Sequence, residues 1–178
     1  MKLRRGQLED VRPIAVGGIA QLTLTKAPDG THAVVRELHP RFLLNLKMQL
    51  RFNRGIRNRR LLTPHKHICG SISLGFRGLR PYEIIEYVPG KNLRELIHHK
   101  NECVKTNGLE ILRKTADAIR YMHGQSLLHL DIKPENVLLN TETAAEEGLV
   151  VKLTDFDLSR RMGSAGGYGR LKAGTASH

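Results

Sequence analysis

Apolar and polar positions alternate in short runs along the N-terminal half of the chain. Residues 11–37 alternate in this way, as antiparallel strands do. Gly17-Gly18 separates two of these strands, and Pro28-Asp29-Gly30 makes a turn before the next. Two further strands are expected at residues 68–74 and 82–87. The pattern therefore predicts an antiparallel sheet in this half of the chain.

Three segments show the three-to-four-residue spacing of helices instead. Residues 41–62 form the first predicted helix, whose inner side is expected to carry Phe42, Leu46, Leu50 and Gly55-Ile56. A second helix begins at Asn92, because Glu95 follows at the spacing of a capping box. A longer helix comes next, and its predicted apolar face consists of Leu109, Leu112, Ala116, Ile119 and His123.

The last part of the chain combines short strands with loops. Residues 137–139 and 150–153 are predicted strands, and the acidic stretch 141–147 between them is expected to be a surface loop. Beyond Arg160 the chain is glycine-rich and loses its periodicity. Strands with one helix, followed by mainly helix with small hairpins, indicate an α+β protein in two lobes that join near Gly90.

Composition adds one unusual property, a net charge of +12. Between Glu37 and Glu83 there is no acidic residue, whereas ten Lys and Arg residues fall there. Such a field attracts nucleic acid, anionic lipid or acidic proteins. Because groove-reading motifs and zinc fingers are missing and aromatic residues are few, we interpret the stretch as a solvated helix face. Nucleic-acid binding is not expected to be the main function.

The remaining bulk features favour an ordinary cytoplasmic protein. No apolar run approaches the roughly 18–20 residues that span a bilayer. The charged N-terminus has no apolar segment behind it, so a secretory signal is not predicted. The two cysteines, Cys69 and Cys103, are too few for a disulfide framework and are expected to be reduced thiols.

Polar residues that suit phosphoryl chemistry follow the longer helix, in the run His129-Leu130-Asp131-Ile132-Lys133-Pro134-Glu135-Asn136. Asp131, Lys133 and Asn136 lie on a short loop before a strand, so they can converge on one point. They offer a proton acceptor, a cation for a transferring phosphoryl group and a neutral metal ligand. Asp155 follows a later strand, and with Asn136 it makes an oxygen pair that suits Mg²⁺.

These motifs resemble those of the eukaryotic-type protein kinases, and most closely the Ser/Thr kinases of the bacterial sort. The run around Asp131 resembles the catalytic loop H-R-D-x-x-x-x-N, and Asp155-Phe156-Asp157 stands at the D-F-G position. The resemblance implies a two-lobed protein-kinase-like fold, with an N-lobe at 1–90 and a partial C-lobe at 91–178. It also implies ATP and Mg²⁺ as cofactors and a protein substrate with Ser or Thr. Asp131 and Lys133 would be catalytic, and Asn136 and Asp155 would hold the metal.

The resemblance extends to a nucleotide site. The stretch 15–20 stands at the glycine-rich loop, 33–36 at the V-A-I-K strand and 84–90 at the hinge. The Glu86 carbonyl and the Val88 amide would bracket adenine, and Ile85 would be the gatekeeper. The nucleotide contacts implied by the resemblance are Ala15, Gly17, Gly18, Ala20, Leu22, Val34, Arg36, Glu86, Val88 and Leu138.

Several positions depart from the family pattern. Ala15 and Ala20 replace two loop glycines, and a plain hairpin turn would have the same sequence. Arg36 replaces the strand lysine, so it is either a phosphate contact or a surface arginine. The helix that should carry the partner glutamate has none, and our register places Gly55 there, with Ile56 as the next choice. The ion pair between the strand lysine and the helix glutamate of an active kinase therefore cannot form in the way that the family forms it.

Two more departures lie around the catalytic loop. Leu130 replaces the arginine that normally pairs with a phosphorylated activation loop, so that switch is not expected here. Asp157 replaces the last glycine of D-F-G. It is either a third carboxylate near the metal or a turn residue that tolerates a left-handed conformation, and we favour the turn residue.

Three functional hypotheses remain open. The first is a Ser/Thr kinase, and the second is a pseudokinase that binds partners with weak or no phosphotransfer. The third is a small-molecule kinase of the aminoglycoside or choline type. Lys133-Pro134 and Thr175 argue against it, because they favour a protein substrate. The A-P-E motif expected after Thr175 is missing. The chain is therefore expected to be incomplete, with one face of the 109–123 helix partly uncovered and with poor solubility on its own.

Overall fold

The structure, a computed structural model, describes residues 3–16, 18–140 and 148–163. The alternating N-terminal segment forms a five-stranded antiparallel sheet with the strand order β1-β2-β3-β5-β4. Its strands are β1 (Glu9–Val16), β2 (Ala20–Lys26), β3 (His32–Leu38), β4 (Ser71–Arg77) and β5 (Arg80–Glu86). The predicted antiparallel sheet is confirmed.

Local hydrogen bonds explain where the strands turn. Between β2 and β3, the Asp29 carboxylate accepts from the backbone N–H and the hydroxyl of Thr31, at 2.9 and 2.6 Å. Gly30 in the same turn has a φ of 87°, which a glycine adopts without steric cost. The predicted turn at 28–30 is confirmed.

Helix α1 (Leu46–Leu62) accompanies this sheet. It begins at Leu46 because the Asn45 side chain accepts from the Met48 N–H at 3.1 Å. Together with the five strands it belongs to a first unit, which comprises Met1–Thr63 and Cys69–Tyr87.

The predicted inner face of α1 is confirmed for Gly55 and Ile56, which are buried, and is wrong for Leu46 and Leu50. Leu46 and Leu50 are exposed, and the buried positions are Phe52, Gly55, Ile56, Asn58, Arg59 and Leu62. The prediction began the helix at residue 41, but Pro40–Phe42 is a separate 3₁₀ turn that ends before the Asn45 cap. Leucines of the first helical turns are consequently on the solvent side, and a buried arginine takes part in the inner face.

The second unit comprises Pro64–Ile68 and Val88–His178. A three-stranded antiparallel sheet has the order β6-β8-β9, and a two-stranded sheet pairs β7 with β10. The strands are β6 (Gly90–Asn92), β7 (Leu127–Leu128), β8 (Val137–Asn140), β9 (Val150–Leu153) and β10 (Arg160–Arg161). Two helices, α2 (Leu93–His98) and α3 (Glu102–Gly124), complete the unit.

One strand boundary differs from expectation, and one helix boundary agrees with it. The strand predicted at 68–74 begins at Ser71, because Ile68 instead forms a parallel bridge with Leu153 of β9. The cap of α2 is where the sequence indicates, since the Asn92 side chain accepts from the Glu95 N–H at 2.9 Å. That helix start is confirmed.

The predicted apolar face of α3 is largely uncovered, in agreement with the expectation of a partly uncovered face, and a different stripe of the helix is buried. Leu109 and Leu112 are 83% and 66% exposed, whereas Ile111, Ala118 and Met122 are buried. Both sets have helical spacing, and periodicity alone does not decide which stripe finds a packing partner. A non-helical residue inside α3, Asn107, also turns the first part of the helix relative to the rest.

Candidate active site

The loop at residues 129–136 lies between β7 and β8, and it brings its polar side chains together. The Lys133 ammonium is 2.9 Å from Asp131 Oδ2. The Asn136 amide donates to the backbone carbonyl of Asp131 at 2.8 Å and to Asp131 Oδ2 at 3.1 Å. The three groups that the sequence singles out are therefore in direct contact around one carboxylate.

The environment of Asp131 keeps its carboxyl ionised. Burial by itself raises the pKa of Asp131, but the hydrogen bond and the charge of Lys133 lower it, as does the hydrogen bond from Asn136. The net result is a pKa below the ordinary value for aspartate. At neutral pH the group is an anionic hydrogen-bond acceptor with only partial access to solvent.

Buried backbone contacts tie the loop to the strand that precedes Asp155. The His129 ring lies with Nε2 3.0 Å from the Thr154 carbonyl, and the Thr154 N–H donates to the Asn136 carbonyl at 2.9 Å. The His129 ring also packs edge-on against Phe156, with 5.2 Å between centroids. Asp155 is consequently anchored on both sides by residues that contact the loop.

Two non-glycine residues in this region have left-handed backbone conformations. Leu130, directly before Asp131, has a φ of 63°, and Asp155 has a φ of 62°. A side chain at positive φ is strained and persists where the surrounding contacts hold it, which is frequent at functional sites. The strain falls on the residues that set the direction of the two predicted functional aspartates.

The amide of Asn136 is oriented by its neighbours. Because its nitrogen donates both hydrogen bonds to Asp131, the amide oxygen is the atom that Asn136 can offer to a cation. Asp155 adds a carboxylate, whose Oδ1 receives only a long contact of 3.4 Å from the Asp157 N–H. A neutral oxygen and a carboxylate fit the preference of Mg²⁺ for a few protein oxygens.

Asp157 differs from its predicted conformation. The left-handed residue of this turn is Asp155, not Asp157. The Asp157 side chain is buried, and the turn is closed by Ser159, whose N–H and hydroxyl both donate to the Phe156 carbonyl. Asp157 is therefore a turn residue, as favoured, but its backbone is not left-handed.

In the first unit, Arg36 is buried rather than on the surface. Its guanidinium lies over the Phe52 ring of α1, 4.4 Å from the centroid, and its Nη1 is 4.0 Å from Glu83 Oε2. Arg59 of α1 approaches the same oxygen at 3.5 Å. We call Arg36, Arg59 and Glu83 the charge cluster. The alternative of Arg36 as a surface arginine is therefore wrong.

The charge cluster also revises the predicted helix register. The α1 side chain that contacts Arg36 is Phe52, one turn before the predicted Gly55. As expected, α1 supplies no carboxylate, but Arg36 has one nearby because Glu83 is its cross-strand neighbour between β3 and β5. Sequence reasoning missed both Glu83 and Arg59. The available signal was a glutamate, Glu83, that stands directly between the apolar residues Tyr82 and Ile84 of β5.

Several predicted nucleotide contacts of the first unit share one apolar cluster. Val34 and Ile85 are buried together with Cys69, and the half-buried Leu22 and Tyr87 pack against them. Leu22, Val34 and Ile85 come from the neighbouring strands β2, β3 and β5, whereas Cys69 precedes β4 and Tyr87 follows β5.

The backbone groups of Glu86, beside this cluster, already have hydrogen-bond contacts within the first unit. The Cys69 thiol lies 3.6 Å from the Glu86 carbonyl, and the Glu86 N–H donates to the Gly70 carbonyl at 3.1 Å. Cys69 and Cys103 are both free thiols, as predicted. The Glu86 carbonyl, proposed for adenine, therefore already has a weak sulfur donor.

The other predicted nucleotide residues are distributed as follows. Ala15 is exposed on β1, whereas Ala20 is buried in an apolar cluster with Leu38 and Phe52. Gly18 is exposed, and its carbonyl accepts from Arg41 at 3.1 Å. In the second unit, Val88 and Leu138 are half-buried, and Leu138 lies on β8. The predictions for Gly17, the 141–147 loop and Thr175 concern positions outside the described residues.

The basic stretch between Glu37 and Glu83 is only partly a solvated face. Arg57 and Arg60 are exposed on α1, in agreement with that interpretation. Arg59 is almost fully buried, and Arg80 donates to the Leu38 carbonyl and to the Gln21 side chain. Among the described residues, no helix combines the length and the apolar character needed to cross a membrane.

The comparisons with known proteins all find protein kinases to be similar to this chain. Residues 24–176 match the model of the family described as protein kinase domain. The chain is 37% identical over 86 residues, 48% of its length, to a probable serine/threonine-protein kinase of Streptomyces coelicolor. It is 27% identical over 158 residues, 88% of its length, to CBL-interacting protein kinase 21 of Oryza sativa subsp. japonica.

A solved structure shares the fold. The crystal structure of the PknI kinase domain of Mycobacterium tuberculosis superposes with a TM-score of 0.67 at 22% identity, over 88% of this chain and 62% of that chain. The two curated relatives are much longer than the matching region, and the chain spans 12% and 29% of their lengths.

Proposed function

The chain belongs to the protein kinase domain family, and from that membership we propose that it is an ATP-dependent serine/threonine phosphotransferase domain. In the proposed reaction, the oxygen of a protein Ser or Thr forms a bond to the γ-phosphorus of ATP. The bond between that phosphorus and ADP breaks, and ADP leaves with the electron pair. The hydroxyl proton passes to the Asp131 carboxylate.

One observation carries this proposal, namely the arrangement of Lys133 and Asn136 around Asp131. The two contacts keep the carboxylate ionised and fix its direction, which a proton acceptor for a substrate hydroxyl requires. Lys133 provides a positive charge next to the acceptor, where negative charge of a transferring phosphoryl group would be stabilised. A surface ion pair between Lys133 and Asp131 would not account for the buried Asn136 amide, which donates to the same carboxylate.

We propose Asn136 and Asp155 as the residues that hold Mg²⁺, through the amide oxygen and the carboxylate. When bound, the ion would neutralise negative charge on the ATP phosphates. The protein's own part is to keep Asn136 in register with Asp131 by the two amide hydrogen bonds, and to keep Asp155 in place through the Thr154 contact.

The nucleotide contacts are a further part of the proposal. In the first unit, Leu22 and Val34 offer apolar surface for adenine, and Arg36 offers a cation for phosphate. Val88 and Leu138 of the second unit complete the set, together with the Glu86 carbonyl. Ala15, Gly17, Gly18 and Ala20 remain predicted contacts of the loop over the phosphates.

A pseudokinase is the second candidate, because Arg36 replaces the strand lysine and α1 carries no carboxylate. Such a domain would hold nucleotide weakly and act by docking, without useful phosphotransfer. The two candidates make the same prediction for metal-dependent binding and opposite predictions for catalysis, so both properties need to be measured.

The test has a binding part and a catalytic part on the 178-residue chain. Mg-ATP is expected to raise the melting temperature, and Asp155→Asn is expected to abolish that rise because a metal ligand is lost. Asp117→Asn, a change of the same kind on α3, where Asp117 pairs with His65 and Arg120, is the control and should leave the rise intact. Absence of any Mg-dependent rise in the wild type would contradict both candidates.

For catalysis, transfer of labelled γ-phosphate to a generic basic protein is measured for the wild type and Asp131→Ala. Loss of the proton acceptor is expected to reduce the rate by roughly 10²–10⁴-fold. Transfer that Asp131→Ala leaves unchanged would exclude the proposed role of this residue. Nucleotide binding without any transfer would favour the pseudokinase.

A further inference from the structure

Three charged side chains from distant parts of the sequence meet in the interior of the first unit. Arg36 is 4% exposed, Arg59 is 1% exposed and Glu83 is completely buried. Charged groups are expensive to remove from water unless close partners compensate them. Glu83 Oε2 is the oxygen that both guanidinium groups approach, at 4.0 Å from Arg36 and 3.5 Å from Arg59.

The guanidinium of Arg36 is held from two directions. The Phe52 ring lies against one side at 4.4 Å, and Glu83 Oε2 is 4.0 Å from Nη1. Both contacts come from the core of the unit, and the register of β3 and β5 places Arg36 directly opposite Glu83. The direction of this side chain is therefore set by Glu83 of β5 and by the Phe52 ring of α1, without any carboxylate from α1.

Helix α1 is connected to the same carboxylate by a cation. Arg59 Nε is 3.5 Å from Glu83 Oε2, and Arg59 Nη1 is 3.8 Å from the Cys69 sulfur. The sign of the charge on the helix is thus opposite to that of a helix-borne glutamate. A single carboxylate on β5 serves both the strand arginine and the helix.

We propose that Glu83 is a positioning residue that orients Arg36 for contact with the phosphates of ATP. The inference rests on the proposed function, since it assumes that Arg36 is a phosphate contact. Glu83 itself does not touch the nucleotide. It takes the place of the carboxylate that α1 lacks, and it links the position of α1, through Arg59, to the site of Arg36.

Glu37 provides a matched control within the same sheet. It is the residue after Arg36 on β3, is also buried, and has three arginines near its carboxylate, Arg5, Arg77 and Arg80. Because successive strand residues point to opposite faces, its carboxylate lies on the other face from Arg36. Glu37→Gln removes a buried carboxylate from arginine neighbours without affecting the charge cluster.

The experiment compares the dissociation constants of ATP and adenosine for the 178-residue chain. Adenosine lacks phosphates, so its affinity reports the integrity of the apolar site alone. Glu83→Gln is expected to weaken ATP binding about tenfold, equal to about 1.4 kcal/mol, and to leave adenosine binding unchanged. Glu37→Gln is expected to leave the ratio of the two constants at its wild-type value.

A second variant guards against misfolding of Glu83→Gln. In the double variant Glu83→Gln with Arg59→Met, one cation and the one anion are removed together, so the net charge of the cluster is that of the wild type. If Glu83 positions Arg36, the double variant still loses ATP affinity relative to adenosine. If Glu83 serves only to balance buried charge, the double variant recovers the wild-type ratio, and the inference is overturned.

The proposed function and this inference fail in different ways. A wild-type chain that binds neither ATP nor adenosine overturns both. A wild-type chain with Mg-ATP binding that Asp155→Asn abolishes, but with an unchanged ATP-to-adenosine ratio in both Glu83 variants, overturns only the role of Glu83.

Discussion

The loop at 129–136 and the charge cluster both place ionic groups in close contact, yet they are built in different ways. In the loop, Asp131, Lys133 and Asn136 lie within six residues of sequence, and Asp131 and Lys133 remain partly accessible to solvent whereas Asn136 is buried. In the charge cluster, one strand, a helix and another strand each contribute a single residue to a buried interior.

The difference concerns what each arrangement depends on. The loop depends on local geometry, namely a proline-started 3₁₀ turn and two amide hydrogen bonds, and it keeps its polar groups near water. The charge cluster depends on the packing of α1 on the sheet and on the register of β3 with β5. Loss of one loop contact should therefore be a local event, whereas loss of Glu83 should affect the whole first unit.

The largest effect is expected from the charge cluster. Glu83→Gln should lower the free energy of unfolding by about 3–5 kcal/mol, because two buried guanidinium groups lose their carboxylate. Urea unfolding of the chain measures this change, with Glu37→Gln, whose partner Arg77 is exposed, expected to cost less. A loss under about 1 kcal/mol for Glu83→Gln would show that the cluster is not critical to stability.

A smaller effect is expected in the loop. Asn136→Ala removes both amide hydrogen bonds to Asp131 and should cost about 1–3 kcal/mol, since the Asp131 carbonyl loses its donor. The unfolding midpoint in urea would give this value. If Asn136→Ala destabilised the chain more than Glu83→Gln does, the distinction between a local and a long-range arrangement would be wrong.

A purely local interaction in the second unit is expected to have a still smaller effect on the free energy of unfolding. Asn92→Ala removes the cap of α2 and should cost about 1 kcal/mol. Asn92→Ser, which keeps an oxygen acceptor for the Glu95 N–H, is the matched control and is expected to retain most of the stability. Equal losses for the two variants would mean that the cap does not stabilise this helix.

The smallest effect concerns pH. Burial lowers the pKa of His67 below 6.5, and the backbone hydrogen bond to Val151 opposes this only partly. A histidine whose folded-state pKa is depressed takes up protons preferentially when unfolded, so stability falls as the pH drops below about 6.5 towards the folded-state pKa. His67→Asn, which can keep the donor to Val151, should flatten this dependence. An unchanged slope between pH 7 and 5 would contradict the assignment.

The motif-bearing parts of the chain were predictable. The kinase-like α+β fold is confirmed by the family match and by the likeness to a solved kinase domain. The turn at 28–30 and the cap at Asn92 are confirmed because short-range hydrogen bonds determine them. The roles of Asp131, Lys133, Asn136 and Asp155 remain proposals, although the structure brings the first three together.

The errors on the helices concern which side meets a partner, and the other errors concern a strand start, the backbone conformation of Asp157 and the burial of Arg36. Leu46, Leu50, Leu109 and Leu112 have the correct spacing for a buried face but are exposed. Spacing defines a stripe relative to the helix axis, and only packing decides how the helix is rotated about that axis. The same reason explains why Phe52, not Gly55, contacts Arg36.

The sequence by itself determined the order of strands and helices, the local caps and turns, and the polar loop around Asp131, because each arises from residues a few positions apart. Only the tertiary structure decided the neighbours of Arg36. The contact with Glu83 requires the pairing of β3 with β5, and the contact of Arg59 requires the docking of α1. Burial of these charges reflects contacts across dozens of residues, which no local pattern in the sequence records.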